Sequence, residues 1–227
     1  MSFNVDAFKY FSTMKKVGII GSGMVGKALA HGFVNLGYET TLASRNEETR
    51  KNIEKEFNGK LKTDTPQNTV KNNDLIIFAV KGTRAKEALQ SAGISNLSGK
   101  TVIDTTNPIA DLPPVNGVIQ YTTSVNSSLM EELQKIAPEA NLVKAFSCAG
   151  NAHMVNPSFE SKPTMFICGN NAKAKEEVTE ILDKFGWEIE DMGAVEAARA
   201  IEPLAILWCI PGFIRNNWNT AFKLLKK

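Results

Sequence analysis

Lys16-Val17-Gly18-Ile19-Ile20-Gly21-Ser22-Gly23-Met24-Val25-Gly26 decides the fold. Val17 to Ile20 is a short, nearly all-apolar run that ends at a glycine, the pattern of a central parallel strand covered on both faces. Beyond it Ala28, Leu29, Gly32, Phe33 and Leu36 recur at steps of three and four, and Gly37 supplies a stop, so a helix is predicted there. Thr40 to Ala43 then reads as a second strand, and the three pieces form a βαβ unit. Glycines cluster by chance, so a GxGxxG pattern alone is weak; strand, turn and helix in the right order raise it. The first glycine permits the tight turn, the second lets backbone approach a pyrophosphate, and the third lets helix and strand pack closely. With the helix N-terminus behind them, Gly21, Ser22, Gly23, Met24, Val25 and Gly26 form a candidate phosphate loop.

The end of the second strand selects the dinucleotide. NAD binders place an acid there against the ribose hydroxyls. This chain has Ser44-Arg45-Asn46 instead. An acid would repel a 2′-phosphate, whereas Arg45 can form charge-assisted bonds to it while Ser44 and Asn46 donate neutral ones. The competing reading is a solvated Arg45 with Ser44 or Asn46 capping the next helix, and the two roles can coexist. The expected cofactor is NADP(H).

The alternation continues along the chain. A polar helix is predicted from about Glu47 to Phe57, a weak segment near Leu61, a buried strand over Leu75 to Val80, a helix from Arg84 to Ser91 capped by Thr83, and a strand over Thr101 to Asp104. Ser128 to Ala137 is a further helix, Leu142 to Phe146 a strand, Met165 to Cys168 a strand, Ala172 to Phe185 a helix stopped by Gly186, and Trp187 to Ile189 a strand. The fold class is α/β, a Rossmann-type doubly wound parallel sheet with a smaller C-terminal α/β lobe. Residues 1–14 read as an N-terminal extension, 15–150 as the dinucleotide-binding domain and 151–227 as the small lobe packed on it.

Ligands lie at the carboxyl ends of such strands. Ala79, Val80 and Lys81 are therefore expected beside the ribose or nicotinamide, although a solvated lysine is the commoner outcome for Lys81. Asn107-Pro108 follows the next strand and either contacts nicotinamide or forms an ordinary turn. His31 and His153 read as structural histidines, no catalytic acid or base is assigned, and no paired carboxylates or nucleophile triad emerge.

A net charge of +2, without basic clusters interleaved with aromatics, gives no footprint for nucleic acid. Cys148, Cys168 and Cys209 are too scattered for a zinc site, and no metal is expected. The apolar run Pro203 to Phe213 is interrupted by Pro211 and Gly212 and falls short of the ~20 residues of a membrane span. A protein working in the cytoplasm without a membrane is the simplest expectation, with that run as core, interface or acceptor-pocket wall.

Taken together, Lys16 to Gly26, Ser44-Arg45-Asn46, Asn107-Pro108, Val143-Lys144-Ala145-Phe146 and Ala198-Arg199-Ala200-Ile201-Glu202-Pro203-Leu204 resemble the coenzyme F420-dependent NADP oxidoreductase family, to which the cytoplasmic domains of the STEAP metalloreductases are related. The resemblance covers Lys15 to the C-terminus. It implies hydride passing between NADPH and a small redox acceptor such as a flavin or F420, and a homodimer. It also implies Ser44 and Arg45 at the 2′-phosphate, with the loops at Val80, Asn107 and Ala145 bordering nicotinamide. F420-using members commonly carry a histidine after the Val143 strand, where this chain has Ser147-Cys148. Two other readings stand beside this one: an NADPH-dependent dehydrogenase or imine reductase acting directly on a small substrate, and a non-catalytic module that senses NADP(H).

Overall fold

The computed structural model describes residues 15–227; the N-terminal extension expected over residues 1–14 lies outside them. Six strands make one sheet: β1 (Val17–Ile20), β2 (Thr40–Ala43), β3 (Lys62–Asp64), β4 (Leu75–Phe78), β5 (Thr101–Asp104) and β6 (Asn141–Lys144). Their order is β3-β2-β1-β4-β5-β6 and every pairing is parallel. The order reverses between β1 and β4, so the loops leaving these two strands diverge and open a crevice.

Because the registers align Val17 with Leu75 and Leu75 with Thr101, residues of the same parity share a face. Val17, Ile19, Leu75, Ile77, Ile103 and Val143 face one side, where they pack with α1 (Met24–Asn35), α2 (Glu47–Glu56) and α6 (Ala172–Lys184). Ile20, Ile76, Phe78, Val102 and Leu142 face the other, against α3 (Pro66–Asn72), α4 (Ala85–Ala92), α5 (Leu129–Ile136) and α7 (Ala198–Ile201). Two apolar faces explain why the strands read as unbroken hydrophobic runs.

The smaller lobe is built on the edge of this sheet. Its strands β7 (Thr164–Ile167) and β8 (Glu188–Asp191) pair in parallel. An antiparallel bridge between Lys144 and Cys168 ties β7 to the end of β6. Phe185, at the end of α6, meets Phe33 of α1 edge-on, with ring centroids 5.1 Å apart.

Three local expectations need correction. Sequence reading passed over α3, which begins with Thr65 as N-cap and Pro66 at its first position. Thr83 does not cap α4; its hydroxyl bonds Asp111 at 3.2 Å, and a 3-10 turn over Gly82–Arg84 leads into the helix. Pro211 does not end the C-terminal helix, because α8 runs from Leu204 to Arg215 through it. With the helical turns before it, the run Val195–Arg215 spans 21 residues and is long and apolar enough to cross a membrane by length and composition.

Candidate functional site

The glycine turn behaves as its spacing demands. Gly21 has φ +115°, a conformation that side chains resist, and a Cβ there would sit 2.1 Å from the Ala79 carbonyl oxygen. At Gly26 a Cβ would fall 1.8 Å from the Gly21 carbonyl oxygen. Gly23 is different: a Cβ added to it meets nothing within 4 Å. That open space lies directly before α1, whose N-cap is Gly23 itself, with no side-chain cap and no acid in the first turn. Uncapped N–H groups, a positive helix end and bare backbone make a fitting seat for a pyrophosphate.

Around this turn runs a cleft of about 640 Å³. Ile20, Gly21, Ser22 and Gly23 form its floor, Ser44, Arg45 and Asn46 one wall, and Ala79, Val80, Lys81, Arg84, Glu87, Ala88 and Ser91 the other. Ser44 is held by its N–H on the Asp64 carbonyl (3.0 Å), and Arg50 donates to the Ser44 carbonyl (2.8 Å). Asn46 caps α2, its Oδ1 accepting from the Thr49 N–H at 2.8 Å, so one amide serves the helix while its NH₂ group points elsewhere. Arg45 is 81% exposed and lines the cleft, and among the described residues Glu87 is the one acid near its guanidinium, at 3.8 Å. Lys81 forms an ion pair with Asp111.

Asn107, Pro108 and Ala145 lie at the neighbouring ends of β5 and β6. The two loops after β4 and β5 press together, since a Cβ on Gly82 would lie 1.9 Å from the Asn107 carbonyl oxygen. Asn107 Nδ2 donates to the Ser147 carbonyl at 3.0 Å. Asn107 Oδ1 and Ser147 Oγ are then left buried without a protein partner among the described residues. Buried orphans of this kind call for an ordered water or a ligand group. Between Ala145 and Ser147, Phe146 is buried with φ +63°, a strained backbone that turns the chain after β6. The Ala145 side chain itself belongs to the core, so only its backbone borders the strand ends.

Beneath these loops sits a cluster that sequence reading missed. Lys144 Nζ lies 2.7 Å from Asp104 Oδ2 and 2.8 Å from Glu202 Oε1, with all three side chains at most 1% exposed. It also donates to the Thr106 carbonyl at 2.8 Å. Asp104 Oδ1 accepts from the Thr106 N–H (2.9 Å) and hydroxyl (2.7 Å). Glu202 accepts from the Leu129 and Met130 N–H groups at the start of α5, at 2.9 and 3.0 Å. Burial alone would lower Lys144, but Asp104 and Glu202 outweigh it and hold the ammonium above its ordinary range. The cluster joins the loop after β5, the end of β6, α5 and the C-terminal helices at one point. Its sequence signal was charge at the end of otherwise apolar strands, at Asp104 and Lys144.

Neither histidine joins the site. His31 stacks on Phe57 at 4.0 Å, and His153 bonds Asn219 at 3.2 Å. Burial pushes the thiols of Cys148 and Cys168 up to about 11 and about 12, and no group of metal-ligating side chains occurs among the described residues.

Residues 16–108 match the protein family described as NADP oxidoreductase, coenzyme F420-dependent. Rat metalloreductase STEAP3 is 26% identical over 200 residues, covering 86% of this chain and 38% of the relative. The chain thus spans well under half the length of such metalloreductases. Among solved structures, a candidate F420 dependent NADP-reductase from Arthrobacter sp. FB24 superposes with a TM-score of 0.87 at 26% identity, covering 93% of this chain and all of that one. An imine reductase from Streptomyces aurantiacus superposes at 0.66 with 15% identity, covering 88% of this chain and 63% of that one, a likeness of fold.

Proposed function

We propose that the protein is an NADP(H)-dependent oxidoreductase that passes hydride between the nicotinamide and a flat small acceptor, a flavin or an F420-like deazaflavin. Fold and family likeness agree on an NADP(H)-binding oxidoreductase with a small redox acceptor; the F420-like ring is suggested by the names of the family and of the Arthrobacter structure, and the flavin by its similar flat ring. The observation that carries the reading is Arg45, exposed over a cleft whose floor is the open backbone at Gly23 and whose β2 end holds no acid.

In this reading NADPH supplies the hydride, which is the difficult chemistry, and the protein supplies position. Gly21 to Gly26 seat the pyrophosphate on the α1 N-terminus. Ser44, Arg45 and Asn46 take the 2′-phosphate. Ala79, Val80 and Lys81 border the ribose. Asn107 Oδ1 accepts from, and Ser147 Oγ donates to, a primary amide such as the nicotinamide carboxamide, a pairing that satisfies both buried orphans. Pro108 and the Ala145 backbone complete that wall.

We place the protein in the cytoplasm, away from membrane and nucleic acid. Glu202 lies inside the apolar run Val195–Arg215 and is committed to the buried ion cluster, while Ala198, Ile201 and Ala205 are buried against the body. The exposed remainder of that run suits a second copy of the chain, so the proposed assembly is a homodimer. The division near residue 150 stands as an organisational proposal, the later residues forming a lobe built on the first.

Two measurements test this. NADPH oxidation is followed with FMN, FAD, F420 and a quinone in turn; steady turnover with at least one of them is expected, and none across the panel would overturn the ring-acceptor reading and leave a sensing module or a reductase acting directly on another small substrate. Arg45→Ala should weaken NADPH by roughly tenfold or more and NADH hardly at all. Equal losses would place the clamp elsewhere.

A further inference from the structure

Arg45 does not face the cleft alone. On the opposite wall, Arg84 closes the 3-10 turn after β4 and is 74% exposed. Both guanidinium groups converge on one carboxylate: Arg45 Nη1 lies 3.8 Å from Glu87 Oε1, and Arg84 Nη1 lies 3.3 Å from Glu87 Oε2. The other acid near Arg84, Asp111, is taken up by Lys81 and Thr83. Glu87 is therefore the one anion that the two arginines share among the described residues, and all three line the same cleft as Ser44.

We propose that Arg84 is the second arm of the 2′-phosphate clamp, and that Glu87 holds the place of the phosphate until the cofactor arrives. This rests on the NADP(H) reading above and names residues outside the Ser44 to Asn46 element that set its specificity. Both arginines reach one carboxylate, so both reach a phosphate group whose oxygens are spaced alike. A phosphomonoester carries a charge of about −1.5 to −2 at neutral pH and three acceptor oxygens, so it outcompetes the single carboxylate for two guanidinium groups. The exposed pairs that Glu87 makes are individually weak, which makes the exchange easy. Glu87 stands in the first turn of α4, where the helix N-terminus favours a carboxylate after its displacement. Ala88 and Ser91 on the same helix are small and leave the cleft open between the walls.

The test compares 2′,5′-ADP with 5′-ADP by calorimetric titration on the whole chain, using wild type, Arg84→Ala, Arg45→Ala and Glu87→Gln, each checked for an unchanged melting curve. Wild type should prefer 2′,5′-ADP. Arg84→Ala should weaken 2′,5′-ADP by about tenfold and 5′-ADP by less than about threefold, and Glu87→Gln should tighten 2′,5′-ADP severalfold without tightening 5′-ADP. Equal weakening of both nucleotides by Arg84→Ala would assign that residue to the base or the 5′-phosphate and overturn the clamp; no weakening would make it a solvated side chain and overturn it as well. If Arg45→Ala erases the preference and Arg84→Ala does not, the two-armed clamp fails while the cofactor reading stands. A wild type indifferent to the 2′-phosphate would bring down both.

Discussion

At Gly23 the backbone dihedrals, φ −78° and ψ −172°, are open to any residue, and a side chain would project into empty space. Gly23→Val should therefore fold with a melting temperature close to wild type yet lose NADPH affinity by roughly a hundredfold, because the branched side chain fills the seat of the pyrophosphate. Gly26→Ala makes the opposite case, since its Cβ would collide with the Gly21 carbonyl and the cost falls on folding. Thermal melts alongside titrations separate the two; a Gly23→Val protein that binds normally would dismiss the phosphate loop. Lys144→Met argues from the buried cluster. Two carboxylates would be left facing one another without a cation, and stability should fall by about 3–5 kcal/mol in denaturant unfolding. A loss below about 1 kcal/mol would mean that water already reaches the cluster. The glycines were legible because their spacing is dictated by backbone geometry within one turn. The cluster was not, because Asp104, Lys144 and Glu202 come from three distant segments, and nothing local to any of them announces the others. Phe146 was hidden for another reason: the left-handed region announces itself in sequence through glycine or asparagine, and a buried aromatic there gives no sign.

At the scale of elements, α5 shows how a helix start is wired to the rest. Ser128 Oγ accepts from the Glu131 N–H at 3.2 Å and donates to its carboxylate at 2.8 Å, so one hydroxyl caps the helix and also bridges to the residue it caps. Arg199 of α7 grips the same carboxylate through Nε (2.9 Å) and Nη2 (2.5 Å). The Arg199 guanidinium, helped by Ser128, holds Glu131 down to about 2 from an ordinary 4.5. A lowered folded-state value means that the pair's stabilisation is complete above about pH 4.5 and disappears as pH falls toward 2. Arg199→Met should return Glu131 toward its ordinary range and so remove most of that pH-dependent contribution, which an NMR titration of the Glu131 carboxyl reads directly. Titration near 2 in the variant would show that Ser128 and the helix end suffice. The capping pattern Ser128 to Glu131 sits in the sequence, as Thr65-Pro66 does for α3, yet α3 was passed over because the residues around Leu61 are too polar and short to announce the strand before it. The continuation of α8 through Pro211 was illegible for tertiary reasons: Gly212 packs beneath Trp218, and the Asn217 N–H returns to the Pro211 carbonyl at 3.2 Å.

Across the whole molecule, the alternation of strands and helices was enough to give an open parallel sheet with helices on both faces and to put a ligand at the carboxyl ends of its strands; the order β3-β2-β1-β4-β5-β6 was not legible, because the pairing of distant segments is set by tertiary contacts that no local pattern carries. The surface is less readable. Leu207, Phe213 and Ile214 on α8 are exposed, as are Leu112, Val115 and Val118 on the loop after β5, and the two elements touch where Gly117 meets Ile214. Exposed apolar side chains gathered on two touching elements are uncommon on a chain that works alone, and a two-fold axis would bury each residue of them twice. In the proposed homodimer, Leu207→Asp removes two buried leucines, each contributing about 1.5–3 kcal/mol, so the dissociation constant should rise by at least about a hundredfold. Sedimentation equilibrium across a concentration series measures it. The Gly23 and Arg45 cleft lies at the ends of β1 and β2, on elements other than α8, so the separated subunits should still bind NADPH. A wild type that stays monomeric at high micromolar concentration would remove the second copy and leave that patch to another occupant, whereas loss of cofactor binding on dissociation would show that the partner completes the site.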